Sequence, residues 1–129
     1  MAMGVRPSAV MGTLVLALAA VIALAGLAAA QVPWAAPASA DAKTIEQGMK
    51  LAQVNCVTCH GPKGKGDGAA AVALNPKPAD WTSKKVQGES DGEIFWKIST
   101  GRGPMPAWRH LPENERWALV RYIRTLAAK

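Results

Sequence analysis

Apolar residues fall into distinct patterns along the chain. From Val10 to Ala30 they form an unbroken run, rich in Ala, Leu and Val and preceded by the single charge of Arg6. Such a run with a positive flank marks a signal peptide or a membrane anchor. Pro33, Pro37 and Ala38-Ser39-Ala40 then have the helix-breaking, small-residue character of a cleavage region. Residues 1–40 are therefore read as a signal peptide cleaved after Ala40, the alternative being an uncleaved helix that tethers residues 41–129 to the outer face of a membrane. Beyond residue 40 the period becomes helical. Thr44-x-x-Gln47 reads as a capping box opening a first helix, with Ile45, Met49, Ala52 and Val54 on its apolar side. Ser90-x-x-Glu93 opens a second through Ile94, Phe95, Trp96 and Ile98, stopped by Gly101 and Gly103. A third starts at Pro112, with Glu113 and Glu115 suiting the helix dipole and Leu119, Val120, Ile123, Leu126 and Ala127 on one face, opposite Arg121 and Thr125. No alternating strand pattern appears, so residues 41–129 are expected to fold as a single all-α domain.

Where the first helix ends, the chain reads Cys56-Val57-Thr58-Cys59-His60. Cys-x-x-Cys-His is the attachment signature of a covalently bound c-type haem. Two thiols one helical turn apart can each add to one vinyl group of the same porphyrin edge, and the next residue, His60, can then offer its imidazole to the iron. Competing chemistry is poorly supported. A structural zinc site needs four ligands, and only His110 lies beyond the motif. A thioredoxin-like pair would follow a strand in a βαβ setting that the pattern lacks. Cys56 and Cys59 are the only cysteines, so no disulfide framework competes for them.

A glycine-rich loop, Gly61-Pro62-Lys63-Gly64-Lys65-Gly66-Asp67-Gly68, comes directly after the motif. It is no phosphate loop, having neither a Gly-Lys-Ser/Thr ending nor a preceding strand. Its glycines are expected to let the backbone turn against the haem edge, with a carbonyl of this region accepting the Nδ1 proton of His60. For the second axial position, Met49 belongs to the first helix and reads as a core residue. Met105 lies in Gly103-Pro104-Met105-Pro106, where flanking prolines restrict the backbone and lower the entropy cost of holding a thioether against iron. Met105 is therefore the expected sixth ligand, and His110 a surface residue. Trp81, Trp96, Trp108 and Trp117 are expected to pack around the haem or in the core.

These motifs together resemble class I cytochrome c, the small monohaem family, over residues 41–129. Gly48, the Cys56–His60 site, the loop ending at Gly68, Gly103-Pro104-Met105-Pro106 and Trp117-x-Leu-Val-x-Tyr122-Ile carry the resemblance. It implies three main helices and loops wrapped around one covalently bound haem c, with Gly48 meeting Tyr122 where the first and last helices cross. Ala52 departs from the family, which often has an aromatic there, so that Trp96 or Trp117 is expected to fill the space. Ala69 departs likewise from a common proline, although its carbonyl is still available to His60.

The function expected is one-electron transfer outside the cytoplasm, in the periplasm or an equivalent compartment, by a carrier that is not itself an enzyme. Its partners would be a redox protein donor and acceptor. Only Arg6 of the fifteen Lys and Arg residues lies in the first 40, which leaves fourteen against nine acidic residues. That surplus, with Lys63, Lys65, Lys77, Lys84, Lys85 and Arg102 around the haem edge, suits partners with acidic docking surfaces. Nucleic acid is excluded as a partner by the absence of an Arg-rich run and by the export signal. The alternatives are an electron-entry haem subunit of a larger dehydrogenase or oxidase, and a haem enzyme or gas-binding module with a labile sixth ligand.

Overall fold

Several helices begin where a side chain can take up the amides that a first turn leaves without partners. The computed structural model describes residues 41–128. Helix α1 spans Ala42–Asn55, and its cap is Asp41, whose Oδ1 accepts from the Thr44 amide at 2.7 Å. The expected Thr44/Gln47 box is thus displaced by one turn, because an Asp in extended backbone already stands three residues before Thr44 and accepts more strongly than a hydroxyl. The expected inward face is partly wrong as well. Gly48 and Ala52 are buried, whereas Val54 is 80% exposed.

Cys56 caps the end of α1, its amide donating to the Ala52 carbonyl, and the chain re-enters a single turn, α2, over Val57–His60. After the glycine loop and a 3₁₀ turn at Ala71–Ala73, a four-residue helix α3 covers Lys84–Gln87 with Ser83 as its cap. Helix α4 spans Asp91–Thr100 and opens with the expected capping box, Ser90 Oγ accepting from the Glu93 amide and Glu93 accepting from the Ser90 amide. Gly101 ends it with φ of 72°, which only glycine adopts without strain. Helix α5 spans Glu113–Thr125, with Pro112 capping it and Glu113 and Glu115 in the first turn. Among the described residues there is no strand, only an isolated bridge between Arg102 and Met105.

The long helices α1, α4 and α5 enclose the core. Ala52, Trp81, Val86, Ile94, Ile98, Trp117, Leu119, Val120 and Ile123 form one buried cluster, with Cys56, Met105, Trp108 and Tyr122 packed against its edge. Contact between α1 and α5 is the most extensive of any helix pair. It depends on Gly48. A Cβ there would stand 2.6 Å from the Ala118 carbonyl carbon and 2.9 Å from Tyr122 Cβ, closer still to the Ala118 oxygen. The expected meeting of Gly48 and Tyr122 is found, with Ala118 completing it. Trp117 fills the core and stacks on Phe95 at 4.1 Å between ring centres, while Trp96 points outward and is 54% exposed. The face of α5 opposite the core is not purely solvated, since Arg121 and Arg124 both reach Asp91.

Candidate haem site

The short helix α2 carries the candidate ligands, and the glycine loop holds it in place. Gly66, Gly68 and Ala70 donate their amides to the carbonyls of His60, Cys59 and Thr58 at 2.8, 3.1 and 2.9 Å. These carbonyls would otherwise lack partners at the end of so short a helix. The closeness explains the glycines. A Cβ on Gly68 would lie 2.5 Å from the Val57 carbonyl oxygen, and one on Gly64 would lie 2.6 Å from the Trp81 ring, at a φ of 69°. What they approach is the motif's own backbone and Trp81.

His60 is buried. Its Nδ1 lies 3.0 Å from the Ala79 carbonyl oxygen. A carbonyl can only accept, so Nδ1 carries the proton and Nε2 keeps its lone pair free for a metal. Burial pushes the imidazole pKa down, against a smaller upward pull from the Ala79 bond. The net effect leaves the ring neutral at neutral pH, as ligation requires. The acceptor is Ala79, not Ala69 or a carbonyl of the glycine loop. Gly68 holds the start of the 69–74 segment against the Thr58 side of α2, and the chain returns to His60 only near Trp81. Trp81 is itself buried and stacks on the His60 ring at 4.4 Å between centres and 23° between planes. Nothing in the local sequence pattern revealed this stack.

Cys56 and Cys59 are half-buried free thiols. Burial, and then the neighbouring Cys59, push the Cys56 pKa up to about 11, so this sulfur is a neutral thiol at neutral pH. Met105 is half-buried at the edge of the core cluster that Cys56 also borders. Its loop is tightly fixed. Arg102 and Met105 exchange backbone hydrogen bonds at 3.1 and 3.0 Å, the Trp108 amide donates to the Ile98 carbonyl at 3.0 Å, and a Cβ on Gly101 would meet the Met105 oxygen at 2.5 Å. The other methionine considered, Met49, lies half-buried within α1. His110 is exposed beside Trp108 and outside the cluster. Lys63, Lys65, Lys77, Lys84, Lys85 and Arg102 are all exposed.

The donor set suits a haem c: two thiols on consecutive turns, a neutral imidazole with Nε2 free, and a thioether on a braced loop. No group of three or more His, Cys, Asp or Glu among the described residues offers a competing metal site. The expected signal or anchor, residues 1–40, lies outside the described residues; among those described, no helix is long and apolar enough to cross a membrane.

Comparison with known proteins agrees. The family model for cytochrome c oxidase, cbb3-type, subunit III matches residues 43–123. The cbb3-type cytochrome c oxidase subunit FixP of Azorhizobium caulinodans is 33% identical over 91 residues, covering 69% of this chain and 29% of that protein. A chain of the reducing HAO-like protein complex of Kuenenia stuttgartiensis superimposes with a TM-score of 0.63 at 31% identity, covering 71% of this chain and 47% of that one. The chain thus spans less than a third of its curated relative and less than half of the solved one. It belongs to the family of cbb3-type cytochrome c oxidase subunit III, and so to the class I c-type cytochromes, all-α electron-transfer domains that carry a covalently bound haem c.

Proposed function

We propose that residues 41–129 form a monohaem domain in which Cys56 and Cys59 bind haem c through two thioethers and His60 and Met105 are the axial iron ligands. The carrying observation is His60, buried, neutral and fixed by Ala79 so that only Nε2 remains to bind iron. When bound, the haem supplies a one-electron Fe(III)/Fe(II) couple. Cys56 and Cys59 would hold it through thioethers, each thiol S–H adding across a vinyl double bond with sulfur on one carbon and the proton on the other, so that attachment would need no oxidant. Met105, a soft donor held by the Arg102–Met105 bridge, favours the reduced ion. The hydrogen-bonded Met105 loop and the braced His60 imidazole would hold the group with little movement of the chain.

Within this reading the domain passes electrons and performs no bond-making chemistry on a substrate. It serves as an electron-entry subunit of a larger extracytoplasmic oxidoreductase, a role supported by the family match and by FixP, which is itself an oxidase subunit. Residues 1–40 export the domain or anchor it, and the exposed lysines meet an acidic partner surface. Purification of the native protein tests this. A haem-staining band should survive a denaturing gel, and further redox subunits should accompany it. Recovery as a lone, detergent-free monomer would overturn the subunit role in favour of a diffusing carrier.

A further inference from the structure

The side chain of Gln87 has two backbone acceptors far apart in sequence. Its Nε2 donates to the Trp81 carbonyl at 2.6 Å and to the Ile123 carbonyl, in the last turn of α5, at 2.9 Å. One amide thus ties the segment of chain that touches His60 to the helix at the back of the core. Gln87 is itself immobilised. Arg124 donates from Nη1 to the Gln87 carbonyl at 2.9 Å and from Nε to Asp91 Oδ1 at 2.7 Å, and also reaches the Glu89 carbonyl.

The strap that this amide holds carries both contacts of the imidazole. Ala79 accepts the Nδ1 proton and, two residues on, Trp81 stacks on the ring. At its other side the strap is held by the Trp81 amide, which donates to the Gly64 carbonyl at 2.7 Å. No side chain besides Gln87 donates to the Trp81 carbonyl among the described residues.

We propose that Gln87 is a positioning residue for the haem site, acting through Trp81 and Ala79 to fix the orientation and basicity of His60. This rests on the reading of His60 as an axial ligand. A carbonyl hydrogen bond at Nδ1 makes the imidazole a stronger donor, which favours Fe(III). Loosening the strap lengthens that bond, weakens the donor and raises the reduction potential.

The test is Gln87→Leu in the full holoprotein, which keeps the bulk and removes both donations. The expected results are a more positive potential and an Nδ1–H of His60 that exchanges with solvent at least tenfold faster in the reduced protein, measured by NMR, beyond any acceleration of the α5 core amides in the same sample. Asp41→Ala, which removes the α1 cap on the Thr44 amide and none of the strap's hydrogen bonds, should lower the melting temperature and move neither readout. An unmoved potential, with Nδ1–H exchange rising only in step with the α5 amides, would overturn the proposal. If Gln87→Leu does not accumulate, Gln87→Asn, whose shorter amide cannot span both carbonyls, should show the same shifts; failure of both to form a haem protein would assign Gln87 to the scaffold and reject the positioning role. Wild-type protein without covalent haem, or with a proximal ligand other than His60, would instead reject the underlying site, a result read before any variant is made.

Discussion

In an isolated helix, Gly48→Ala would be a gain of about 0.5–1 kcal/mol, because alanine loses less backbone entropy on folding. At the α1–α5 crossing the sign should reverse. The added methyl would sit 2.6 Å from the Ala118 carbonyl carbon, and the obstacle is backbone in a helix whose Ala118 and Val120 are fully buried, so no side chain can rotate away. The helices must separate, at an overpacking cost of about 1–3 kcal/mol. Because the clash is with backbone the upper half of that range applies, and against the propensity gain the net loss is roughly 1–2.5 kcal/mol, a fall in melting temperature of about 4–20 °C for a domain of this size. Gly92→Ala is the matched control. It lies in the first turn of α4, and its Cβ would find nothing nearer than Ser90 Oγ at 4.0 Å, so the propensity gain should survive and stabilise the protein by about 0.5–1 kcal/mol. Thermal and denaturant unfolding of the two holoproteins, compared with wild type, should give changes of opposite sign. A neutral or stabilising Gly48→Ala would refute the close crossing.

Other perturbations probe the site and the helix caps. Cys56→Ala and Cys59→Ala should each leave one thioether, so that mass spectrometry of the denatured chain finds haem still attached; haem that extracts into acidic organic solvent from the unmodified protein would contradict the assignment. Arg124→Leu strands the half-buried carbonyls of Gln87 and Glu89 and leaves the Asp91 carboxylate to Arg121 alone, and should cost about 1–3 kcal/mol in denaturant unfolding. Glu93 is held below its ordinary carboxylate range mainly by the Ser90 amide, so its contribution to α4 is present above the unfolded value near 4.5 and lost as pH falls through the folded one. Wild type should therefore lose stability relative to Glu93→Gln over that acid window, and parallel curves would remove the capping box from the account. Lys84→Glu with Lys85→Glu should slow electron exchange with an acidic partner at low salt and matter little once the Debye length falls below ~10 Å, whereas rates indifferent to salt and charge would place docking elsewhere.

What the sequence disclosed and what it withheld divide along the range of the interactions. Cys56–His60, the Ser90/Glu93 box and the braced Met105 loop are local patterns in which neighbouring residues carry the chemistry, and the structure keeps each intact. The cap of α1 is ambiguous in sequence because two acceptable capping residues, Asp41 and Thr44, lie one turn apart and only backbone geometry chooses between them. Apolar character alone suggests that Val54 and Trp96 face inward, but a strict helical period sets Val54 opposite Ala52 and Trp96 opposite Ile94 and Ile98, and both are exposed. The carbonyl at His60 and the Trp81 stack join segments about twenty residues apart through an irregular loop, where no periodicity exists to be read. Gln87, which reaches Ile123 across the domain, gave no local signal at all.

The axial ligation tests the account most directly. The oxidised holoprotein should show the weak charge-transfer band at the red end of the visible spectrum that a thioether on ferric haem produces. Met105→Ala should keep its covalent haem, lose that band, fall in reduction potential and begin to bind small exogenous ligands. A band that persists in Met105→Ala would mean that the iron takes its sixth ligand elsewhere, and that the loop between α4 and α5 has another role.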